Sequence, residues 1–221
     1  MTNLKNWFEN LSREEKEKYY YNISLLQEKL KIKISRDIQI EVENKTALMG
    51  GTTIVCAIVG KNETIIANIG DSRAYIIKDG KLKQVSREDT VAEENLQKGK
   101  TPSKEVSRFD QEANRLVQCI GMQRKFLKYP HCEIINNKDY DVILLFSDGV
   151  TDCLSDEDIA VVCKNSNRKE VAKEIIKKAL RHDSIAPEEY EAYDNLNLYI
   201  PSGKDNATAA VYVPEEDEME K

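Results

Sequence analysis

The first part of the chain has the spacing of an amphipathic helix. Between Leu4 and Ile34, apolar residues recur at steps of three and four positions among many lysines and glutamates. They are Trp7, Phe8, Leu11, Tyr19, Ile23, Leu26 and Leu30. This pattern predicts one helix, or two in succession, with the apolar face packed against another part of the protein.

From residue 50 onward the pattern changes to short runs of β-branched residues. Three runs, at 53–59, 64–69 and 74–77, are separated by turns that contain glycine, and a fourth, at 82–85, follows Asp79-Gly80. An Asp-Gly pair between two such runs favours a tight hairpin. We therefore predict an antiparallel meander of four strands with a hairpin at Asp79-Gly80.

The second half of the chain alternates between helical and strand patterns. The predicted elements are a polar helical stretch with a break at 99–102 (86–122), strands (132–135 and 142–146), helices (156–163 and 169–182) and a last strand (207–213). The run at 142–146 is apolar on both faces, which predicts a central, covered strand. Ser155 and Asp158 have the spacing of a capping box, which predicts a helix that begins there.

These elements fit a single α+β domain over 1–213, in which sheets lie between layers of helices. The remaining residues, 214–221, are acidic and are predicted to form a disordered tail. No internal repeat is visible.

The composition narrows the class of protein. The chain has 221 residues and a net charge of −6. Proteins that bind nucleic acids or anionic membranes need clustered positive charge, so this composition argues against both kinds of partner. No apolar run approaches the roughly 20 residues of a membrane span, and the start lacks the apolar core of a signal peptide. The sequence predicts a cytoplasmic protein with no nucleic-acid or membrane partner. The five cysteines are interpreted as small apolar residues.

Three aspartates lie at the ends of apolar strand patterns. Asp71 follows the second predicted strand, Asp148 follows the apolar run at 142–146, and Asp205 precedes the last strand. An unpaired carboxylate is costly where burial is high. If the three strand ends converge, their oxygens would provide hard ligands for Mg²⁺ or Mn²⁺.

A simpler interpretation exists for each aspartate, because an Asp beside a Gly at a strand end is usually part of a turn. Asp71 could pair with Arg73, and Asp205 could cap a turn through Asn206. Only the combination of the three favours a metal site.

The combination is that of a known family. Four motifs occur in order, at Gly50–Thr53, Ala67–Tyr75, Leu145–Asp152 and Asp205–Thr208. They resemble the metal-dependent protein serine/threonine phosphatases, the PPM or protein phosphatase 2C family. The variable stretch between Asp89 and Gly121 is similar to the flap of bacterial members. The resemblance covers most of the chain, from about Gly50 to Val213, and four ordered motifs make it specific.

The resemblance implies a four-layer α/β/β/α sandwich of two antiparallel sheets with metal ions at one end. It implies that Asp148 and Asp205 are the catalytic metal ligands and that Asp71 joins Asp148 at a further metal site. It also implies Mg²⁺ or Mn²⁺ as cofactor, a phosphoprotein as substrate, and hydrolysis of phosphoserine or phosphothreonine by metal-activated water without a covalent intermediate.

One family feature is missing from the sequence. Family members begin with a strand pair that contains a phosphate-binding Arg and then an Asp-Gly-x-Gly-Gly signature, whose Asp bridges both metals. Asp37 is the sole aspartate before Gly50, and no glycine follows it. The expected fold is therefore incomplete at its N-terminus, and paired metal binding is expected to be weaker. The alternatives are a catalytically impaired pseudophosphatase or regulatory binding module, and a β-sandwich with turn aspartates.

Overall fold

The computed structural model describes residues 7–46, 50–104, 115–122, 129–181 and 206–214. Apart from Pro214, the predicted acidic tail at 214–221 lies outside these ranges.

Helices and strands alternate in blocks along the described chain. The helices are α1 (Arg13–Tyr21), α2 (Ile23–Ile32), α3 (Gln39–Thr46), α4 (Val91–Gln97), α5 (Asp148–Thr151), α6 (Asp156–Asn165) and α7 (Val171–Arg181). The strands are β1 (Ile54–Val59), β2 (Glu63–Ile69), β3 (Arg73–Lys78), β4 (Lys81–Gln84), β5 (His131–Asn136), β6 (Val142–Phe146) and β7 (Ala209–Tyr212). A π-helical segment, Lys33–Ile38, joins α2 to α3, and a short 3₁₀ turn, Asn137–Asp139, follows β5. Among the described helices, none has the length and apolar character that crossing a membrane requires.

The strands form two antiparallel sheets. The three-stranded sheet has the order β1-β2-β5, and the four-stranded sheet has the order β4-β3-β6-β7. The predicted four-strand meander is therefore wrong at one step, because β2 and β3 follow each other in sequence but belong to different sheets. The physical reason is that both strands bury residues on both faces. A sheet with one solvated face would leave one apolar set of each strand exposed.

One layer of helices covers the three-stranded sheet. Tyr19 of α1 and Ile23, Leu26 and Leu30 of α2 are buried in one cluster with residues of β2. These four residues belong to the apolar stripe that the sequence predicts, and its other members, Trp7, Phe8 and Leu11, pack against the same cluster. The prediction of an amphipathic N-terminal region packed on another element is confirmed, and the helical region extends further than predicted, to Thr46.

The two sheets pack on each other, and a second helical layer covers the four-stranded sheet. Alternate side chains of β6 explain both contacts, since Ile143 lies in the cluster between the sheets while Leu144 faces the cluster formed with α6 and α7. In that second cluster Ile159 of α6 and Ile175 of α7 are fully buried. The three clusters fill the three spaces of an α/β/β/α sandwich, as the resemblance implies.

Other predictions have mixed outcomes. Strand β6 is an inner strand with four of its five residues buried, and Ser155 closes the predicted capping box with Asp158. The helical prediction is wrong for 115–122, where the chain instead pairs with other segments through the bridges Thr90↔Leu116 and Thr52↔Ile120. These pairings supply the backbone hydrogen bonds that a helix would otherwise provide.

Candidate metal site

Asp71 and Asp148 lie at the same end of the sandwich. Strands β3 and β6 are antiparallel neighbours, and Arg73 at the start of β3 pairs with Phe146 at the end of β6. Asp71 precedes Arg73 by two positions and Asp148 follows Phe146 by two positions, so the register brings both carboxylates to one sheet end. The antiparallel pairing of β3 with β6 therefore explains why these two of the three predicted strand ends converge.

The two carboxylates act on each other electrostatically. Burial and, to a smaller extent, the charge of Asp148 raise the pKa of Asp71 to about 6. The backbone N–H of Asp71 and the charge of Arg73 lower this pKa but offset only part of the effect. Two partly buried carboxylates that repel each other are the donor set that a hard divalent cation stabilises. The pair therefore fits Mg²⁺ or Mn²⁺.

Asp148 is fixed by the residue that follows it. Its Oδ1 accepts a hydrogen bond from the Gly149 N–H at 2.8 Å. A Cβ atom on Gly149 would lie 2.5 Å from the carbonyl oxygen of Asn206, so the chain that leads into β7 lies directly on this glycine. Only glycine leaves room for that approach.

The third predicted ligand, Asp205, lies outside the described residues. Its neighbour in sequence, Asn206, is the residue that contacts Gly149. Two hydrogen bonds extend the contact, because Ser147 N–H donates to the Thr208 carbonyl at 3.0 Å and Thr208 N–H donates to Ser147 Oγ at 2.9 Å. Within the described residues, no group of three or more His, Cys, Asp or Glu side chains is arranged to hold a metal ion. The predicted three-aspartate site thus stays a prediction.

The Gly-Gly-Thr-Thr motif supports the turn that holds Asp71. Thr53 Oγ1 and Ser72 Oγ are 2.9 Å apart and share a hydrogen bond. The Thr53 side chain also occupies the space that a Cβ on Gly70 would need, and Gly70 has a φ of +97°. Both observations require glycine at this position. The first and second motifs therefore form one interlocked unit beside the site.

Arg73 does not form the turn ion pair that the simpler interpretation of Asp71 requires. Its Nη2 donates to Glu88 Oε2 at 2.8 Å, and both side chains are almost fully buried, at 8% and 10% exposure. Among the described residues no ion pair joins Arg73 to Asp71. Asp71 is thus left with a repulsive carboxylate as a neighbour.

A cluster that the sequence did not predict lies behind the Asp71 turn. We call Asp89, Gly70, Gln118 and His131 the Asp89 cluster. Asp89 is 7% exposed, and its carboxylate contacts the other three residues. In the sequence, Asp89 marks only the start of the flap-like stretch, and no local pattern links it to residues 19, 29 and 42 positions away.

Comparison with known proteins decides the family. The model of the family described as "Protein phosphatase 2C" matches residues 3–116, about half of the chain. The chain belongs to the protein phosphatase 2C family. The resemblance noted in the four motifs is thereby confirmed.

The curated relatives of this protein phosphatase 2C chain include bacterial serine/threonine phosphatases and a plant protein. "Serine/threonine phosphatase stp" of Listeria welshimeri is 30% identical over 133 residues, which are 60% of this chain and 52% of that protein. "Serine/threonine protein phosphatase PstP" of Mycobacterium tuberculosis is 30% identical over 145 residues, 65% of this chain and 27% of that protein. The chain spans about half the length of the first of these relatives.

Solved structures of the family share the fold. Serine/threonine phosphatase Stp1 from Staphylococcus aureus superimposes with a TM-score of 0.68 at 25% identity, over 86% of this chain and 68% of that one. The catalytic domain of PstP, solved in complex with two manganese ions, superimposes with a TM-score of 0.59 at 26% identity, over 80% of this chain and 65% of that one. The protein phosphatase 2C sandwich and its two antiparallel sheets are therefore present here.

Proposed function

We propose that this protein is a metal-dependent serine/threonine phosphatase that hydrolyses phosphoserine and phosphothreonine in protein substrates. The observation that supports this proposal most directly is the pair formed by Asp71 and Asp148. Burial and the charge of Asp148 raise the pKa of Asp71, so an ionised Asp71 is unfavourable for folding alone, and such carboxylates are found where a cation or a reaction requires them.

The proposed ligands are Asp148 and Asp205 for the catalytic metal, with Asp71 joining Asp148 at a further site. A bound Mg²⁺ or Mn²⁺ would supply positive charge for the phosphoryl oxygens and activate water as the nucleophile. The contact between Asn206 and Gly149 supports the inclusion of Asp205 in this ligand set, because Asp205 precedes Asn206 and Asp148 precedes Gly149 in the sequence.

Hydrogen bonds from neighbouring residues hold Asp148 and the Asp71 turn in place. The Gly149 N–H holds one oxygen of Asp148 and leaves the other oxygen for a cation. Thr53 and Ser72 hold the turn in which Asp71 lies. A site whose ligands are fixed before the cation binds loses less free energy on ordering when it binds.

The experiment is Mn²⁺-dependent release of phosphate from a phosphothreonine peptide. Replacing Asp148→Asn should lower the rate at least ~100-fold, because a metal supplies several kcal/mol of charge stabilisation in such reactions. Asp141→Asn is the matched control, since Asp141 lies at the far end of β6 in an ion pair with Lys78. We expect it to leave the rate unchanged. Equal rates with and without Mn²⁺ in the parent protein would refute the proposal.

A second candidate is a regulatory module that binds phosphoproteins without hydrolysing them. The supporting observation is that residues 1–50 contain no Asp-Gly-x-Gly-Gly signature, whose aspartate bridges both metals in family members. Calorimetry separates the candidates, because Mn²⁺ binding without any phosphate release supports the module. Phosphate release that depends on both Mn²⁺ and Asp148 rules it out.

A further inference from the structure

The Asp89 carboxylate receives hydrogen bonds from three different parts of the chain. Its Oδ2 accepts from the Gly70 N–H at 2.9 Å and from Gln118 Nε2 at 3.2 Å. Its Oδ1 lies 2.8 Å from His131 Nε2. The cluster thus joins the turn after β2, the return of the flap-like stretch and the start of β5.

The main chain of Asp89 makes two further bonds in the same place. Its N–H donates to the Gly70 carbonyl at 3.0 Å, and its carbonyl accepts from the Val117 N–H at 2.8 Å. Both main-chain polar groups of Gly70 are therefore bonded to Asp89. Gly70 is buried, so an N–H without this acceptor would lose a hydrogen bond that water could not replace.

This arrangement fixes the direction in which the chain enters Asp71. Gly70 is bonded on both of its peptide groups by Asp89, and Thr53 packs against its Cα side. Its φ of +97° is a conformation that these contacts stabilise, because free glycine also adopts negative φ values. The Asp71 carboxylate follows directly from this residue.

We propose that Asp89 is a positioning residue for the metal site, which holds the Gly70–Asp71 turn so that the Asp71 carboxylate faces Asp148. The proposal rests on the proposed function, because it takes Asp71 to be a metal ligand. We assign Asp89 a positioning role rather than a ligand role because both of its oxygens accept hydrogen bonds from protein groups. Groups that orient metal ligands in this way typically change metal affinity when they are removed.

The test measures Mn²⁺ affinity by titration calorimetry, in the whole chain, for Asp89→Ala and Asp89→Asn. Removal of the carboxylate should weaken Mn²⁺ binding about tenfold. Asparagine keeps an oxygen that can accept from Gly70, and its amide can donate to His131 if that ring changes tautomer. We therefore expect Asp89→Asn to restore most of the affinity that Asp89→Ala loses.

Tyr140→Phe is the structural control. Tyr140 is buried and hydrogen-bonded to Thr64 at 2.7 Å, at the opposite end of the sandwich. The Tyr140→Phe variant should have a lower melting temperature than the parent and the same Mn²⁺ affinity. Equal losses of affinity in Tyr140→Phe and Asp89→Ala would mean that destabilisation alone explains the effect, and would overturn the proposal.

Asp71→Asn separates this proposal from the proposed function. If Asp71→Asn weakens Mn²⁺ binding while Asp89→Ala binds like the parent, the positioning role is wrong and the metal site stands. If Asp71→Asn binds like the parent, Asp71 is not a metal ligand and the positioning role is wrong, whereas the proposed phosphatase function is tested separately by Asp148→Asn and by the Mn²⁺ dependence of the parent. Should circular dichroism show that Asp89→Ala is unfolded, His131→Ala replaces it, with an expected loss of about threefold from the missing hydrogen bond. Unchanged affinity in that variant overturns the positioning role.

Discussion

Polar side chains lie at both ends of the sandwich, but the hydrogen-bond and charge partners of these side chains differ between the two ends. At one end, Thr64, Asn137 and Tyr140 bond to one another, with Thr64 Oγ1 2.7 Å from Tyr140 Oη and 2.8 Å from Asn137 Oδ1. The Asn137 amide also donates to the Gly60 carbonyl at 2.9 Å. At the other end, about 20 Å away along β2, Asp71 faces the like charge of Asp148.

The two ends show the difference between polar groups that stabilise the fold and polar groups whose arrangement is unfavourable for folding alone. The Thr64–Tyr140 end is a closed network in which donors meet acceptors, and such a network stabilises the native state. The Asp71–Asp148 end places two acceptors together and therefore opposes folding until a cation binds. Sites that reduce stability in this way are typical of functional residues.

The largest effect is expected from filling the space at Gly149. Gly149→Ala places a methyl group 2.5 Å from the Asn206 carbonyl oxygen, so the chain entering β7 must move. We expect a loss of about 3 kcal/mol in the free energy of unfolding, together with loss of Mn²⁺-dependent hydrolysis. Urea denaturation and the phosphopeptide assay measure the two effects.

Gly80→Ala is the control for that variant. Gly80 lies in the β3–β4 hairpin with a φ of +74°, and nothing lies within 4 Å of a Cβ built on it. Its cost is therefore conformational, about 1 kcal/mol, and hydrolysis should be unaffected. A Gly149→Ala protein as stable and active as the Gly80→Ala protein would show that the contact with Asn206 is unimportant.

A smaller effect of opposite sign is expected at the Asp71–Asp148 end. Asp71→Asn removes a carboxylate whose pKa is raised by burial and by the charge of Asp148. The free energy of unfolding of the metal-free protein should therefore increase. At neutral pH the gain is about 1–2 kcal/mol, after reduction for the partial exposure of the site. Thermal melts in a chelator measure it, and added Mn²⁺ should raise the melting temperature less than in the parent. A destabilised Asp71→Asn protein would contradict the repulsion.

The smallest effect is expected at the Thr64–Tyr140 end. Tyr140→Phe removes one buried hydrogen-bonding group and should cost about 1 kcal/mol in denaturant unfolding. The Mn²⁺-induced rise in melting temperature should equal that of the parent, because no residue of this network contacts the carboxylates. A changed Mn²⁺-induced rise in Tyr140→Phe would mean that the two ends of the sandwich are energetically coupled, and it would contradict the contrast between them.

Much of the fold could be predicted from local patterns. The apolar spacing of the N-terminal helices, the doubly apolar run of β6 and the capping box at Ser155 are each contained in a few consecutive residues. The Asp79-Gly80 hairpin is equally local, and both of its residues have positive φ values. Such signals act over one or two turns of chain and need no knowledge of distant partners.

The rest depended on distant contacts. The separation of β2 and β3 into two sheets follows from burial on both faces, which alternation along one strand does not reveal. Gln39 resembles a solvated helix residue in the sequence, yet it is fully buried and bonds both Gly121 N–H and the Met122 carbonyl. At the site, the motifs pointed to Asp71 and Asp148 and included Thr53 and Ser72, whereas Asp89, Gln118 and His131 have no sequence signature.

The bridge between Thr90 and Leu116 has a consequence for how this family can vary. It brings together the residue that precedes α4 and the segment at 115–122, which are 26 positions apart in sequence. The entropic cost of closing a loop rises only slowly with its length, by about 0.6 kcal/mol for each doubling. Insertions or deletions between those points can therefore accumulate while the Asp71 turn and Asp148 stay in place.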